Sequence, residues 1–192
     1  MSERKFWMRW RVRAGYPVAV GYWLLASPTS RWIIYGAAIA ALGILIRAAA
    51  SGHLRKDREL AVSGPYARTR NPLYFGSAFL AAGFIVAGHS WIAGALVAVY
   101  FGVFYYAVIR DEERDLRARF GAAFDEYASR VPLFFPGMRS WRGDAAAAGA
   151  EPAGKFSWAQ YRRNREYQAL IGAILGFGTL FLRMWIRARW GF

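Results

Sequence analysis

Charge comes in blocks along this chain, and long apolar stretches separate the blocks. Ala14–Ser30, Trp32–Ile46, Leu73–Ile109 and Tyr167–Leu182 contain no Lys, Arg, Asp or Glu. The third stretch decides the fold class. At about 1.5 Å per residue, Leu73–Ile109 would make a helix of roughly 55 Å, too long for one crossing of a roughly 30 Å hydrocarbon core and close to right for two. Gly88, His89 and Ser90 supply turn chemistry near its middle, so the pattern predicts a membrane hairpin of Leu73–Ala87 and Trp91–Ile109. A first, weaker span is expected at Ala14–Ala26, stopped by Pro28, and a second at Arg31–Ala50, with Arg47 long enough to snorkel. The basic N-terminus and apolar run have the outline of a signal peptide, but Tyr16, Pro17, Tyr22 and Trp23 make a poor signal core.

From Asp111 to Arg130 the period becomes helical and amphipathic. Leu116, Phe120, Phe124, Tyr127 and Val131 recur at steps of three or four, with charged residues between them. A helix lying on the membrane surface or covering another element is expected there, ended by Pro132. The stretch "GDAAAAGAEPAG", Gly143–Gly154, reads as a flexible linker. Beyond it the chain returns to the membrane in a C-terminal hydrophobic helix. Arg183, Arg187 and Arg189 follow its apolar run and argue against a full crossing. A tilted helix, a re-entrant one and one packed against a second copy of the chain, as a homodimer, all stay open. The expected fold is all-α: a polytopic transmembrane helical bundle of about five membrane helices with a cytoplasmic amphipathic helix. Residues 1–142 form its core, 143–154 a linker and 155–192 an extension.

Composition sharpens this picture. The 192 residues are 56% hydrophobic and 18% aromatic, yet the formal net charge is +14. Alternating spans gather nearly all the basic segments on one face, which the basic-residue rule makes cytoplasmic. The excess then suits anionic lipid headgroups better than nucleic acid. Absence of cysteine excludes disulfides, thiolate nucleophiles and Cys-ligated metals. His53 and His89 fall on opposite sides in this topology, so no metal is expected.

Functional groups are nearly absent from the apolar spans, which leaves the cytoplasmic rim. Three clusters lie there: "HLRKDREL" (His53–Leu60), "GPYARTRNPLYFGS" (Gly64–Ser77) and "RDEERDL" (Arg110–Leu116). The hairpin makes Arg70 and Asn71 neighbours of Arg110–Glu113 by connectivity alone. Local physics explains part of the second cluster: Gly64-Pro65 is a turn, and Pro72 suits a first helical position while restraining Asn71. Arg68 and Arg70 as headgroup anchors, and Tyr66 and Tyr74 as interface markers, are the structural alternative. A helix start, however, needs one proline and a cap, not this whole run. Glu112 and Glu113 have a structural alternative too, as first-turn acids that complement a helix dipole.

"GPYARTRNPLYFG" resembles the signature of the integral membrane methyltransferases that include isoprenylcysteine carboxyl methyltransferases and phospholipid methyltransferases. "EERDLRARFGAAFDEYASRVPLFFP" is similar to the second block of that family, and the two blocks flank a hydrophobic hairpin in the family's order. The resemblance covers about residues 47–136. It implies a membrane enzyme that binds S-adenosylmethionine at the cytoplasmic rim and methylates a lipid or lipid-modified acceptor. By position it places Tyr66, Arg70, Asn71, Pro72, Tyr74 and Gly76 in the cofactor-cradling block, and Glu112 and Glu113 in the acidic block. The family often has His where this chain has Asn71; asparagine can hydrogen-bond but cannot accept a proton at neutral pH.

Those residue types suit the implied cofactor. Glu112 or Glu113 can bind its ribose hydroxyls or amino group, and Arg70 its carboxylate. Tyr66, Tyr74 or Phe75 can pack on adenine or face the sulfonium. A carboxylate acceptor needs only a cation to orient it, for which Arg110 and Arg130 are candidates. An amine acceptor, as in a phospholipid N-methyltransferase, needs a base, and Glu112, Glu113, Asp111 and His53 are the choices. Two other classes stay open: a sterol-reductase-like oxidoreductase using NADPH, and a membrane scaffold or transport component.

Overall fold

The computed structural model describes residues 3–55, 59–141 and 155–190, which form seven α-helices and no strand. They are α1 (Glu3–Leu25), α2 (Ser30–His53), α3 (Pro72–Gly88), α4 (Trp91–Phe120), α5 (Ala122–Arg130), α6 (Trp158–Arg163) and α7 (Tyr167–Trp190), with one 3-10 turn at Gly64–Ala67. Three helices, α2, α4 and α7, are long and apolar enough to cross a membrane, and α3 is apolar but has only 17 residues. The fold is therefore helical with spans of membrane length, three where about five were expected. The linker expected at 143–154 lies outside the described residues.

The chain divides into two compact units, and α2, α3, α4 and the first two residues of α7 make the crossings between them. The first unit comprises residues 1–43, 78–108 and 169–192. Its core is Tyr22, Ala26, Ala87, Ala93 and Leu180, with Phe84 and Phe177 stacked at 4.7 Å between ring centres. The seam between α2 and α3 is made of small residues. Gly36 and Ala40 on one helix face Gly83 and Ala87 on the other, so closely that a Cβ on Gly83 would lie 2.6 Å from the Gly36 carbonyl oxygen. Interlocked small residues let two backbones meet, the dominant packing device where no hydrophobic effect drives helices together. The predicted turn at Gly88–Ser90 is present, with His89 at a φ of 44° stacked on Trp32 at 4.7 Å.

The C-terminal arginines find partners in the same unit. Arg183 Nε donates to the Ala26 carbonyl at 2.8 Å, and Arg187 Nη1 to the Ser27 hydroxyl at 2.8 Å. These groups follow the last turn of α1, where main-chain carbonyls lack helical partners and the dipole is negative.

The second unit comprises residues 44–77 and 109–168. Leu60, Val62, Phe124, Tyr127 and Val131 are its core, with Leu116 and Phe120 packed against them. The apolar stripe read from the sequence is thus turned onto the segment 60–62. The single helix expected over Asp111–Arg130 is corrected, however. Nothing breaks the helix at Arg110, because a change from apolar to charged residues leaves backbone hydrogen bonding untouched, and α4 runs on to Phe120. The break comes at Gly121, whose φ of 51° is a left-handed conformation that glycine adopts without penalty. Likewise α2 continues past Ala50 to His53.

Candidate active site

Every residue of the two motif blocks described so far from Gly64 to Ser77 and from Asp111 to Pro136 falls in the second unit. The run Arg68–Asn71 lies between the 3-10 turn and α3 and belongs to neither, so its backbone groups need partners outside a helix. The loop after α5 supplies them. Arg70 N–H donates to the Pro132 carbonyl at 2.9 Å, and Gly137 N–H to the Arg68 carbonyl at 2.7 Å. The buried Thr69 hydroxyl donates to the Phe134 carbonyl at 2.9 Å, and Asn71 Nδ2 to the Leu133 carbonyl at 3.0 Å. Pro72 then opens α3, fully buried, as its fixed φ favours. The two sequence blocks are stitched into one piece.

That piece sets two side chains of the first block against the acidic pair of α4. Tyr74 Oη donates to Glu112 Oε2 at 2.7 Å. Arg70 Nη1 lies 2.6 Å from Glu113 Oε1, with the two side chains only 15% and 11% exposed. Arg110 stands at 3.5 Å from the other Glu113 oxygen and is half exposed. Since α4 is already well advanced at Glu112, these acids are not first-turn acids complementing a helix dipole. Glu113 Oε1 has Arg70 as its ion-pair partner, whereas Arg70 Nε and Asp111 Oδ2 are buried without a hydrogen-bond partner. Groups left so are costly unless something else meets them.

The other residues singled out have varied places. Tyr66 is buried in the 3-10 turn, and its carbonyl accepts from Tyr127 Oη at 2.7 Å. Burial first, then Glu112, the Tyr127 and Tyr74 phenols and Glu166, hold the Tyr66 phenol protonated well above its ordinary value. Burial raises Tyr127 similarly. Gly76 is buried one turn into α3. Asn71 directs its amide nitrogen to the Leu133 carbonyl. Arg130 ends α5 with its side chain exposed, and no contact among the described residues joins it to Arg70 or Glu113. His53 Nδ1 donates to the Ala49 carbonyl, 2.8 Å away, and its ring lies against Gly64, whose φ of 59° also favours glycine. Phe75 packs edge-on to Phe134 and Phe135, with centroids at 5.7 and 6.3 Å. No group of three His, Cys, Asp or Glu side chains among the described residues is placed to hold a metal.

Sequence reading missed Thr69 and Leu133–Phe134 as the stitch, although both lie inside the quoted blocks. Replacing Tyr127 with phenylalanine leaves the Tyr66 carbonyl without its buried donor and should lower stability by about 1–2 kcal/mol. Thermal unfolding in detergent reads this directly.

The chain belongs to the phospholipid methyltransferase family, a group of membrane methyltransferases, whose family profile matches residues 18–123. It is 40% identical over 91 residues to the cobalt-zinc-cadmium resistance protein CzcN of Cupriavidus metallidurans. To the nickel-cobalt-cadmium resistance protein NccN of Alcaligenes xylosoxydans xylosoxydans it is 37% identical over 91 residues. Each match covers 47% of this chain and 42% of the relative, so the shared part spans less than half of those proteins. No solved structure matches the chain.

Proposed function

We propose that the protein is an S-adenosylmethionine-dependent methyltransferase of the membrane, acting on a lipid or lipid-modified acceptor. The observation that carries this reading is the double contact of Tyr74 with Glu112 and Arg70 with Glu113. It gathers aromatic, cationic and anionic groups beside buried polar atoms that lack partners. The family membership supports the methyl-transfer chemistry, and the arginine distribution supports a cytoplasmic site.

The residues fit the cofactor. Arg70 Nε is an open donor for its carboxylate, and Asp111 Oδ2 is an open acceptor for its amino group or ribose hydroxyls. Tyr66, held protonated, offers a neutral ring and hydroxyl rather than a phenolate. When bound, the cofactor supplies an activated methyl group on a sulfonium. The chain's own part is to align acceptor and cofactor and to exclude water, the main sources of rate in an in-line displacement. For a carboxylate acceptor, as in isoprenylcysteine methylation, half-exposed Arg110 is the orienting cation. For an amine acceptor, as in phospholipid N-methylation, Asp111 Oδ2 is the open acceptor that can take its proton.

Calorimetric titration of the purified protein with S-adenosylmethionine, and separately with NADPH, tests the cofactor. Binding of the first alone is expected, and binding of NADPH instead would reverse the reading in favour of an oxidoreductase. Incubation with methyl-labelled cofactor and total membrane lipid should then yield a labelled lipid identifiable by mass spectrometry.

A further inference from the structure

The family match ends at residue 123, yet residues 155–168 are built into the second unit. Helix α2 ends with open carbonyls, as every helix does. Three of them are met from this segment. Ser157 N–H donates to the Gly52 carbonyl at 3.0 Å, and Asn164 Nδ2 donates to the Ser51 and Leu54 carbonyls at 3.0 and 2.9 Å. Arg165 then takes a φ of 54°, a left-handed turn rare for a residue with a side chain. The turn leads directly to Glu166, which is buried, with Oε1 2.5 Å from Arg47 Nε.

Arg47 reaches onward. Its Nη1 donates to the Leu73 carbonyl at 3.3 Å and to the Ser77 hydroxyl, and that hydroxyl donates to the Leu73 carbonyl at 3.0 Å. Leu73 and Ser77 bracket Tyr74, the residue bonded to Glu112. The Arg47 side chain is only 20% exposed, and a guanidinium so far withdrawn from solvent is unfavourable without a counter-charge, so Arg47 depends on Glu166 to stay where it grips α3. The same carboxylate also acts electrostatically on Tyr66.

We infer that Glu166, delivered by the C-terminal extension, is a positioning residue of the candidate site: it fixes Arg47, and through Arg47 the first turn of α3 that presents Tyr74 to Glu112. The extension then completes the site. This rests on the reading that the Tyr74–Glu112 cluster binds S-adenosylmethionine, and the test separates the two.

Three variants of the full chain are compared with wild type: Glu166→Gln, Glu166→Asp and the paired change Arg47→Met with Glu166→Leu. Cofactor affinity is measured by calorimetry, amide hydrogen exchange at residues 74–77 without cofactor, and thermal unfolding. Glu166→Gln should weaken affinity about tenfold and speed exchange in the first turn of α3, as coupling within one network implies. Glu166→Asp, which keeps the charge, should recover part of both. The paired change removes both charges together, which restores stability where a single change does not; affinity and slow exchange should stay lost. A paired variant that regains affinity along with stability would show a merely structural ion pair and overturn the inference. Unchanged affinity and exchange in Glu166→Gln would do the same. Wild-type protein that binds no S-adenosylmethionine would overturn the functional reading instead, and exchange at residues 74–77 would still decide the positioning role.

Discussion

Replacing Arg70 with alanine is expected to abolish measurable binding of S-adenosylmethionine and to destabilise the fold by about 3–5 kcal/mol. The reason is the company that Arg70 keeps. Its guanidinium is 2.6 Å from Glu113, both side chains are largely buried, and only Arg110, at 3.5 Å and on the other oxygen, would remain to balance the acid. The open Nε donor would vanish with the side chain. Because one variant loses both fold and affinity, Glu112→Gln is the companion. Glutamine keeps the shape and an oxygen for the Tyr74 hydroxyl, so the melting temperature should hold, while affinity falls roughly tenfold through loss of charge. Calorimetry and thermal unfolding on the same preparations separate the effects. Unchanged affinity in both variants would remove this cluster from consideration as a cofactor site.

The second large effect is expected at Gly83. A leucine there should leave no folded protein in detergent, and even alanine should be costly. The first added carbon would meet the Gly36 carbonyl oxygen at 2.6 Å, the Ala40 Cβ at 2.8 Å and the Ala40 nitrogen at 2.9 Å. Two of these are main-chain atoms, which cannot rotate away as a side chain can. Overpacking an ordinary core costs about 1–3 kcal/mol; a collision with backbone on a helix seam lies at or above the top of that range. Gly178 provides the control, since nothing lies within 4 Å of a Cβ built on it. Size-exclusion chromatography of Gly83→Leu and Gly178→Leu should give loss of the wild-type peak for the first and a wild-type profile for the second.

How far the sequence reveals this molecule depends on the range of the interaction. Pro72 as the first residue of α3 and the turn at Gly88–Ser90 were legible because proline and glycine act on their own backbone. The meeting of Arg70 and Tyr74 with the acidic pair was legible as well, since a hairpin returns both ends of an apolar run to one place. Helix continuity across Arg110 was not, because a jump in polarity looks like a boundary while the hydrogen-bond ladder ignores it. Asn71 looked like a ligand group, and its commitment to Leu133 depends on a loop that no local pattern ties to it. Glu166 was invisible as a site residue for the same reason: its partner Arg47 lies 119 positions away. Short-range signals fixed the elements and one pairing between them; the long-range polar contacts carry no comparable signature.

The way residues 68–71 are held has a bearing on how such a protein can diversify. Pro132, Leu133 and Phe134 grip that strip through main-chain oxygens, while the Phe134 and Phe135 rings pack against Phe75. A carbonyl is the same whatever side chain follows it. Positions 133 to 135 can therefore exchange their side chains without loosening the frame that those oxygens maintain.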